Sequence, residues 1–354
     1  MRLDPLRGAA LALATALFLA GVAPAQSTDS INDYDPGSVL VFPIYISDFT
    51  NGYASVVSTT NTNGDRRVVL PGSPSGLRGD VLVHYFWIDG TGTWDIFDEQ
   101  ALLTPNDTRG ILSFDSLNGT GNQDFEQGFL VAVAVDPETT ESIDFDYLIG
   151  DIVLVDVTGN RTWNLPAIGI QSTTDENGNV TERSTRQHAF TDRASNGGDG
   201  AGDLDFDGIE YRRWPNFLFI SSLFRQDNGV NGTNNDGEVI LLTDLGRDFI
   251  VNLNMLFYDR DESESSRTGT FTCWTRADLA TLAAVTTTPA YDPAGWAVIN
   301  SRDAVNPLTG QVVADPGLLG ALVQRVIGQV GLEFGHLLHH SGLNPRNASM
   351  DLDF

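Results

Sequence analysis

The chain contains no lysine: its 20 basic residues are all arginine, set against 47 aspartates and glutamates, for a formal net charge of −27. A surface of that sign repels phosphate backbones and anionic lipid, so neither nucleic acid nor an acidic membrane surface is an expected partner. Without lysine the G-x-x-x-x-G-K-[ST] phosphate loop cannot exist, and no serine stands in a G-x-S-x-G elbow. Self-repulsion of this size is best tolerated where salt or divalent cations screen it, which suits a saline or calcium-rich setting. A composition bias of the genome accounts for it equally well.

Cysteine is almost as scarce. Cys273 is the only one, which excludes an internal disulfide, and its place in the alternating "TGTFTCWTRA" predicts a buried structural thiol rather than a nucleophile. Long apolar runs are also missing, apart from "GAALALATALFLAGVA" at 8–23. That run is shorter than the roughly 20 residues of a membrane-spanning helix. Preceded by Arg2 and Arg7 and closed by Ala23-Pro24-Ala25, it reads as a secretory signal peptide over residues 1–25. The expected mature chain is exported, with no transmembrane segment, to the bacterial periplasm, cell surface or medium.

What is abundant is a set of short apolar or alternating runs cut by clusters of Gly, Asn, Asp and Pro, the pattern of an all-β protein. "SVLVFPIYI" (38–46), "YASVVSTTN" (53–61), "DVLVHYFWID" (80–89), "TWDIFD" (93–98), "RGILSF" (109–114), "GFLVAVAVD" (128–136) and "DIVLVDV" (151–157) suit one sandwich. A similar order then returns, offset by about 170 residues. "NFLFISSLF" (216–224) answers the first run, "GEVILLTDL" (237–245) the second and "FIVNLNMLFYDRD" (249–261) the third. "GTFTCWTR" (269–276) is matched to "GTWDIFDE", and "AGWAVINSRD" (294–303) to "QGFLVAVAVD".

The expected fold is therefore two tandem Ig-like or jelly-roll-type β-sandwich domains after a cleaved signal peptide. The boundaries place the first sandwich at 26–165, a polar linker or excursion at 166–204, the second sandwich at 205–345 and a tail at 346–354. The stretch 315–342 has helical as well as strand spacing. Completing the second sandwich requires a strand there, followed by a loop. The close "SMDLDF" resembles the end of an outer-membrane barrel, but the runs are too short and irregular for strands that cross a bilayer.

Chemistry-bearing motifs are few. "DLDFDG" gives D-x-D-x-D-G, so Asp203, Asp205 and Asp207, with Glu210 as a fourth acid, form a candidate calcium site. The twelfth loop position, where an EF-hand has a bidentate glutamate, is Trp214, and an acidic turn leading into the second sandwich is the competing reading. "DNGVNGTNNDGE" (227–238) offers Asp227, Asn231, Asn235 and Glu238 at calcium-loop positions, but Gly229 supplies no ligand at the third. In "EFGHLLHHSG" a helix would bring Glu333, His336 and His339 onto one face, with His340 beside them, as a transition-metal site. An ordinary histidine-rich surface segment is the favoured reading. His84 is expected to be a packed or rim histidine. Tyr85, Phe86 and Trp87 could form a sugar-stacking face, as could Trp296; core packing is the commoner fate of such residues.

Taken together, "GSVLVFP" (37–43), "VLVHYFWIDG" (81–90), "LTPNDT" (103–108), "GFLVAVAVD" (128–136), "FDYLIGD" (145–151), "LDFDGIEYRRWP" (204–215) and "GHLLHHSG" (335–342) are similar to a group of uncharacterised secreted bacterial proteins. The resemblance covers most of the mature chain through strand and turn signatures, and implies no activity. For "LDFDG" it implies a shared F-D-G turn without the full acidic set. The functional expectation is an exported, non-enzymatic structural or binding protein whose partner is a cell-surface polymer, a glycan or another surface protein. A calcium-stabilised carbohydrate-binding module is the alternative, and a metal-dependent enzyme using the terminal histidines comes third.

Overall fold

The computed structural model describes residues 35–64, 79–90, 95–118, 125–135, 137, 142–159, 161–172, 203–206, 211–224, 238–245, 248–259, 262, 264–278, 294–325, 333–341 and 349–351. The expected signal peptide lies outside the described residues, as does most of the expected linker.

The first half holds β1 (Val39–Ile46), β2 (Tyr53–Asn61), β3 (Val81–Asp89), β4 (Ile96–Leu103), β5 (Thr108–Leu112), β6 (Gln127–Val135), β7 (Leu148–Asp156), β8 (Arg161–Pro166) and β9 (Ile168–Ile170). After β10 (Asp203–Asp205) come β11 (Phe217–Phe224), β12 (Glu238–Thr243), β13 (Ile250–Asp259), β14 (Glu264–Thr272) and β15 (Trp274–Asp278). The chain continues through β16 (Ala294–Val305), β17 (Val312–Ala314), β18 (Leu318–Arg325), β19 (Glu333–Leu337), β20 (His339–Ser341) and β21 (Ser349–Asp351).

These strands make two sandwiches of antiparallel sheets with the same internal order. The first pairs a large sheet, β4-β3-β6-β1-β9, with a small one, β5-β2-β7-β8. The second pairs β14-β13-β16-β11-β20, extended by β17 on β16, with β15-β12-β18-β19. The correspondence reaches single residues. The β1–β6 ladder breaks between Phe42 and Tyr45, and the β11–β16 ladder between Ile220 and Leu223, at the same step from the strand start. Leu148 and Leu318, which open β7 and β18, donate their N–H groups to Gly37 O and Pro215 O, at 3.0 and 2.6 Å. The chain thus carries one strand plan twice.

Two boundaries differ from expectation. The first large sheet runs past residue 165 to Ile170, because β9 pairs with β1. The terminal segment contributes β21, which pairs with β10. Between them, Leu204, Phe206, Tyr211 and Trp214 are fully buried, and the Phe206 ring lies 5.2 Å from Trp214 and 6.0 Å from Tyr211. The described part of "LDFDGIEYRRWP" is thus an apolar wedge.

The two sandwiches share a core. Leu40 and Phe42 point at Gly150 of the first small sheet, so the alternate residues of β1, Val39 and Val41, face away from it. Both sets are fully buried. What covers the outward set is the second small sheet. Along β12, Val239 and Leu241 enter the interior of the second sandwich, while Ile240 and Leu242 join the core of the first. Leu319, Ala321 and Val323 of β18 join them there. Trp274 clips the junction: its Nε1 donates to Pro43 O at 2.9 Å, at the bulge where β1 leaves its ladder. Arg276 reaches across to Gln127 Oε1 at 3.3 Å and pairs with Glu238 at 2.7 Å. The packing is head-to-tail, with the large sheet of the first copy against the small sheet of the second. One large and one small sheet keep an outer face to solvent.

Candidate ligand-binding face

The outer face of the second large sheet holds a hollow of about 600 Å³, within the usual range for small-ligand sites. Its residues follow from strand alternation. In "NLNMLFY" of β13, Leu253, Met255 and Phe257 fill the second core, which turns Asn254, Leu256 and Tyr258 outward. Cross-strand pairing arranges the face in rows. Phe217, Asn300, Asn254 and Thr268 form one, and Phe219, Val298, Leu256 and Ser266 the next. Trp296, Tyr258 and Glu264 form a third.

Apolar groups floor the hollow and neutral hydrogen-bonding groups stud it. Asn254, Asn300, Ser266 and Thr268 line it together with Phe217, Leu256 and Val298. Asn300 Oδ1 is buried and accepts no hydrogen bond among the described residues. Beside the hollow the Trp296 and Tyr258 rings stack in parallel, 3.9 Å between centroids and 9° between planes, and Trp296 remains 36% exposed. Tyr258 donates to Glu264 Oε2 at 2.9 Å, and this bond holds its hydroxyl above the ordinary tyrosine range. The charged groups at the margins have local partners. Arg267 donates to Ser266 O at 2.7 Å. Asp303 accepts from Asn252 and from Arg302, and the Arg302 contact is the larger cause of its lowered pKa.

A second polar cluster lies where the copies join. Asp144 and Asp146 are both buried. Ser38 Oγ donates to Asp146 Oδ1 at 2.8 Å, Ser172 N to the same oxygen at 3.0 Å, and Ser172 Oγ to Asp144. Burial first and the Asp144 charge second push the Asp146 carboxyl up to about 7. Ser172 bridges to Tyr211, and Arg212 N donates to Gln171 O at 3.0 Å. The cluster ties the end of the first sandwich to the strand leading into the second.

The residues singled out from sequence are dispersed. Asp203 and Asp205 belong to β10, extended and paired with Asp351 and Ser349. Asp207 and Glu210 lie outside the described residues, so the four acids are not placed as a set. Of the second acidic loop only Glu238 is described, at the start of β12 in its ion pair with Arg276. The helix that would have gathered Glu333, His336 and His339 is replaced by two strands in different sheets, β19 and β20. Strand pairing with β18 and β11 satisfies that backbone and ends the three-residue spacing. His84 is buried, with Nε2 2.8 Å from Asp98 Oδ2 and its ring against Phe86. Trp87 is fully buried, edge-on to Tyr45 and donating to Glu99 at 2.9 Å, and Tyr85 and Phe86 are also core. None of these three is a stacking surface. Cys273 is buried, and burial pushes its thiol up to about 12.

The open face itself went unnoticed in the sequence apart from Trp296. Its signal was there: asparagines at alternate positions of β13 mark a solvent-facing row that a sealed sheet would not have. Among the described residues no group of three or more His, Cys, Asp or Glu could hold a metal ion, and no helix is long and apolar enough to cross a membrane.

No family model matches the chain, and no curated protein matches it. Among solved structures it is similar to vicilin from Corylus avellana (hazelnut) at 4% identity, over 79% of this chain and 75% of that one. The TM-score is 0.12, too low to support any inference.

Proposed function

We propose that this is an exported, non-enzymatic binding protein of the cell exterior, which meets its partner with the open face of its second large sheet. One observation carries the reading: the face that the first copy seals against another sheet is left open in the second, with an aromatic pair and apolar floor facing solvent. Exposed apolar ground of this kind, set among polar groups, is characteristic of interaction sites. The described lining is made of amides, hydroxyls, apolar groups including the Phe217 ring, and one arginine, a set suited to holding a partner.

Two measurements test the reading. After expression with its own leader in a bacterial host, the exported protein is expected to begin at Gln26, and an unprocessed cytoplasmic product would overturn export. The purified mature chain is expected to adsorb to cell-envelope preparations, and Leu256→Arg, placed in the floor of the hollow, is expected to abolish adsorption. Equal adsorption by this variant would remove the face from the function.

A further inference from the structure

We infer that the occupant of this face is an uncharged glycan chain. The inference rests on the preceding reading of the face as the binding surface and adds the chemistry of what it binds. A sugar presents two kinds of surface, patches of C–H that lie against aromatic rings and a rim of hydroxyls that both donate and accept. The face supplies both complements. Trp296, stacked on Tyr258 and exposed, is the aromatic element. Asn254, Asn300, Ser266 and Thr268 are groups that donate and accept without charge. Asn300 Oδ1 is buried and accepts nothing among the described residues, so rotation of this amide toward the hollow would give a sugar hydroxyl an acceptor without breaking a hydrogen bond to that oxygen.

Charge narrows the class. An anionic polymer would meet a chain of net charge −27. The cation in the lining, Arg267, donates to the Ser266 carbonyl, and Glu264 and Asp303 are engaged locally. From Asn254 to Tyr258 the face runs about 13 Å along the strand, longer than one sugar ring, which favours a chain over a monosaccharide. A second copy of this protein is the competing occupant. By the internal packing rule it would have to present the first small sheet, whose outer face carries Ser58 bonded to Asp151 and Thr60 bonded to Thr108. Those are the ladder positions at which the second small sheet has Ile240 with Ala321 and Leu242 with Trp274. Val56 and Ile149 also lie on that face, but its hydroxyls and carboxylate stand where the apolar contacts would have to be made.

The test is affinity electrophoresis of the mature chain through gels containing barley β-glucan, xyloglucan, galactomannan or dextran, with alginate and polygalacturonate as anionic counterparts. Sedimentation of the same samples reports self-association. At least one neutral polymer is expected to retard the wild type, and Trp296→Ala and Asn300→Leu are each expected to weaken this by about tenfold or more. Both are checked to melt like the wild type, so that lost binding is not lost folding. Absence of retardation by every neutral polymer, stronger retardation by the anionic ones, or retardation indifferent to both substitutions overturns the glycan assignment. An oligomer that Trp296→Ala dissolves would also overturn it in favour of a second copy, leaving the binding face intact. Failure of adsorption to cell envelopes as well would overturn both readings.

Discussion

The two large sheets are built to one plan and meet different fates. In the first, Val39, Val41, Phe86, Val131 and Val133 face another sheet and are fully buried. In the second, the ladder positions equivalent to these hold Phe217, Phe219, Leu256, Val298 and Asn300, and the face is open. The small sheets differ at matching positions too: Ser58 and Thr60 of the free one stand where the covered one has Ile240 and Leu242, while Val56 and Ile149 leave apolar ground on the free face. Duplication supplies a second copy of that interface, and among the described residues no third sandwich fills it.

The sharpest way to break this contrast is to place one substitution at equivalent positions of the two small sheets. Ile240→Asn puts an amide into the shared core and is expected to cost about 4 kcal/mol in urea unfolding. Ser58→Asn, at the matching half-buried position of the free face, is expected to stay within about 0.5 kcal/mol. Equal costs would mean that the sandwiches do not seal against each other. Cys273 gives an independent readout: DTNB is expected not to label it in the native chain, and to label Ile240→Asn well below its unfolding midpoint.

The next effect concerns the junction. Asp146 has its carboxyl pushed up to about 7 from an ordinary value of 3.8. Between those values the folded chain holds a proton that the unfolded chain has released, so stability falls as pH rises across that window and levels off above it. Asp146→Asn is expected to flatten this slope and to raise stability at pH 8 more than at pH 4, read from melting curves at the two pH values. A variant with the wild-type slope would show that Asp146 is not the group responsible.

Smaller is the loss expected from Trp274→Phe, which keeps an aromatic ring against Gly90 but leaves Pro43 O without its donor. About 1–2 kcal/mol is expected, and a neutral result would mean the junction is held by packing alone. Smallest is calcium. Millimolar calcium against EDTA is expected to move the melting midpoint by no more than about 1 °C, because Asp203 and Asp205 sit in a paired strand. A rise of several degrees would instead assign calcium to Asp203, Asp205, Asp207 and Glu210.

Much of the fold was legible. Runs at 216–224, 237–245, 249–261 and 294–303 coincide with β11, β12, β13 and β16, and the strand required after Leu318 is β18. Edge strands were less evenly legible: "RGILSF" at 109–114 overlaps β5, but others were blurred because their residues pack on one side or not at all. "ESSRTGTFT" of β14 has one buried residue, Phe271, and becomes a strand through its ladder to β13. The match of "GTFTCWTR" to a single strand therefore straddled two, β14 and β15, which part at Cys273, a residue with φ of +45°. Of the candidate sites, the acidic and histidine motifs were local patterns that strand pairing drew into ladders. The open face is spread over β11, β13, β14 and β16, so only its β13 row, with asparagines at alternate positions, could show in a single run.

By itself the sequence determined that the chain folds as strands in a repeated order, since alternation fixes which residues share a face of a pleated ribbon. It also marked unequal exposure, in the continuous apolar runs of β1 and β6 against the alternating asparagines of β13. Only the tertiary structure decided that the large sheet of one copy seals on the small sheet of the other and that the equivalent face stays open. Burial is settled by which surfaces meet, and two faces made by the same pattern differ only in whether a partner lies across them.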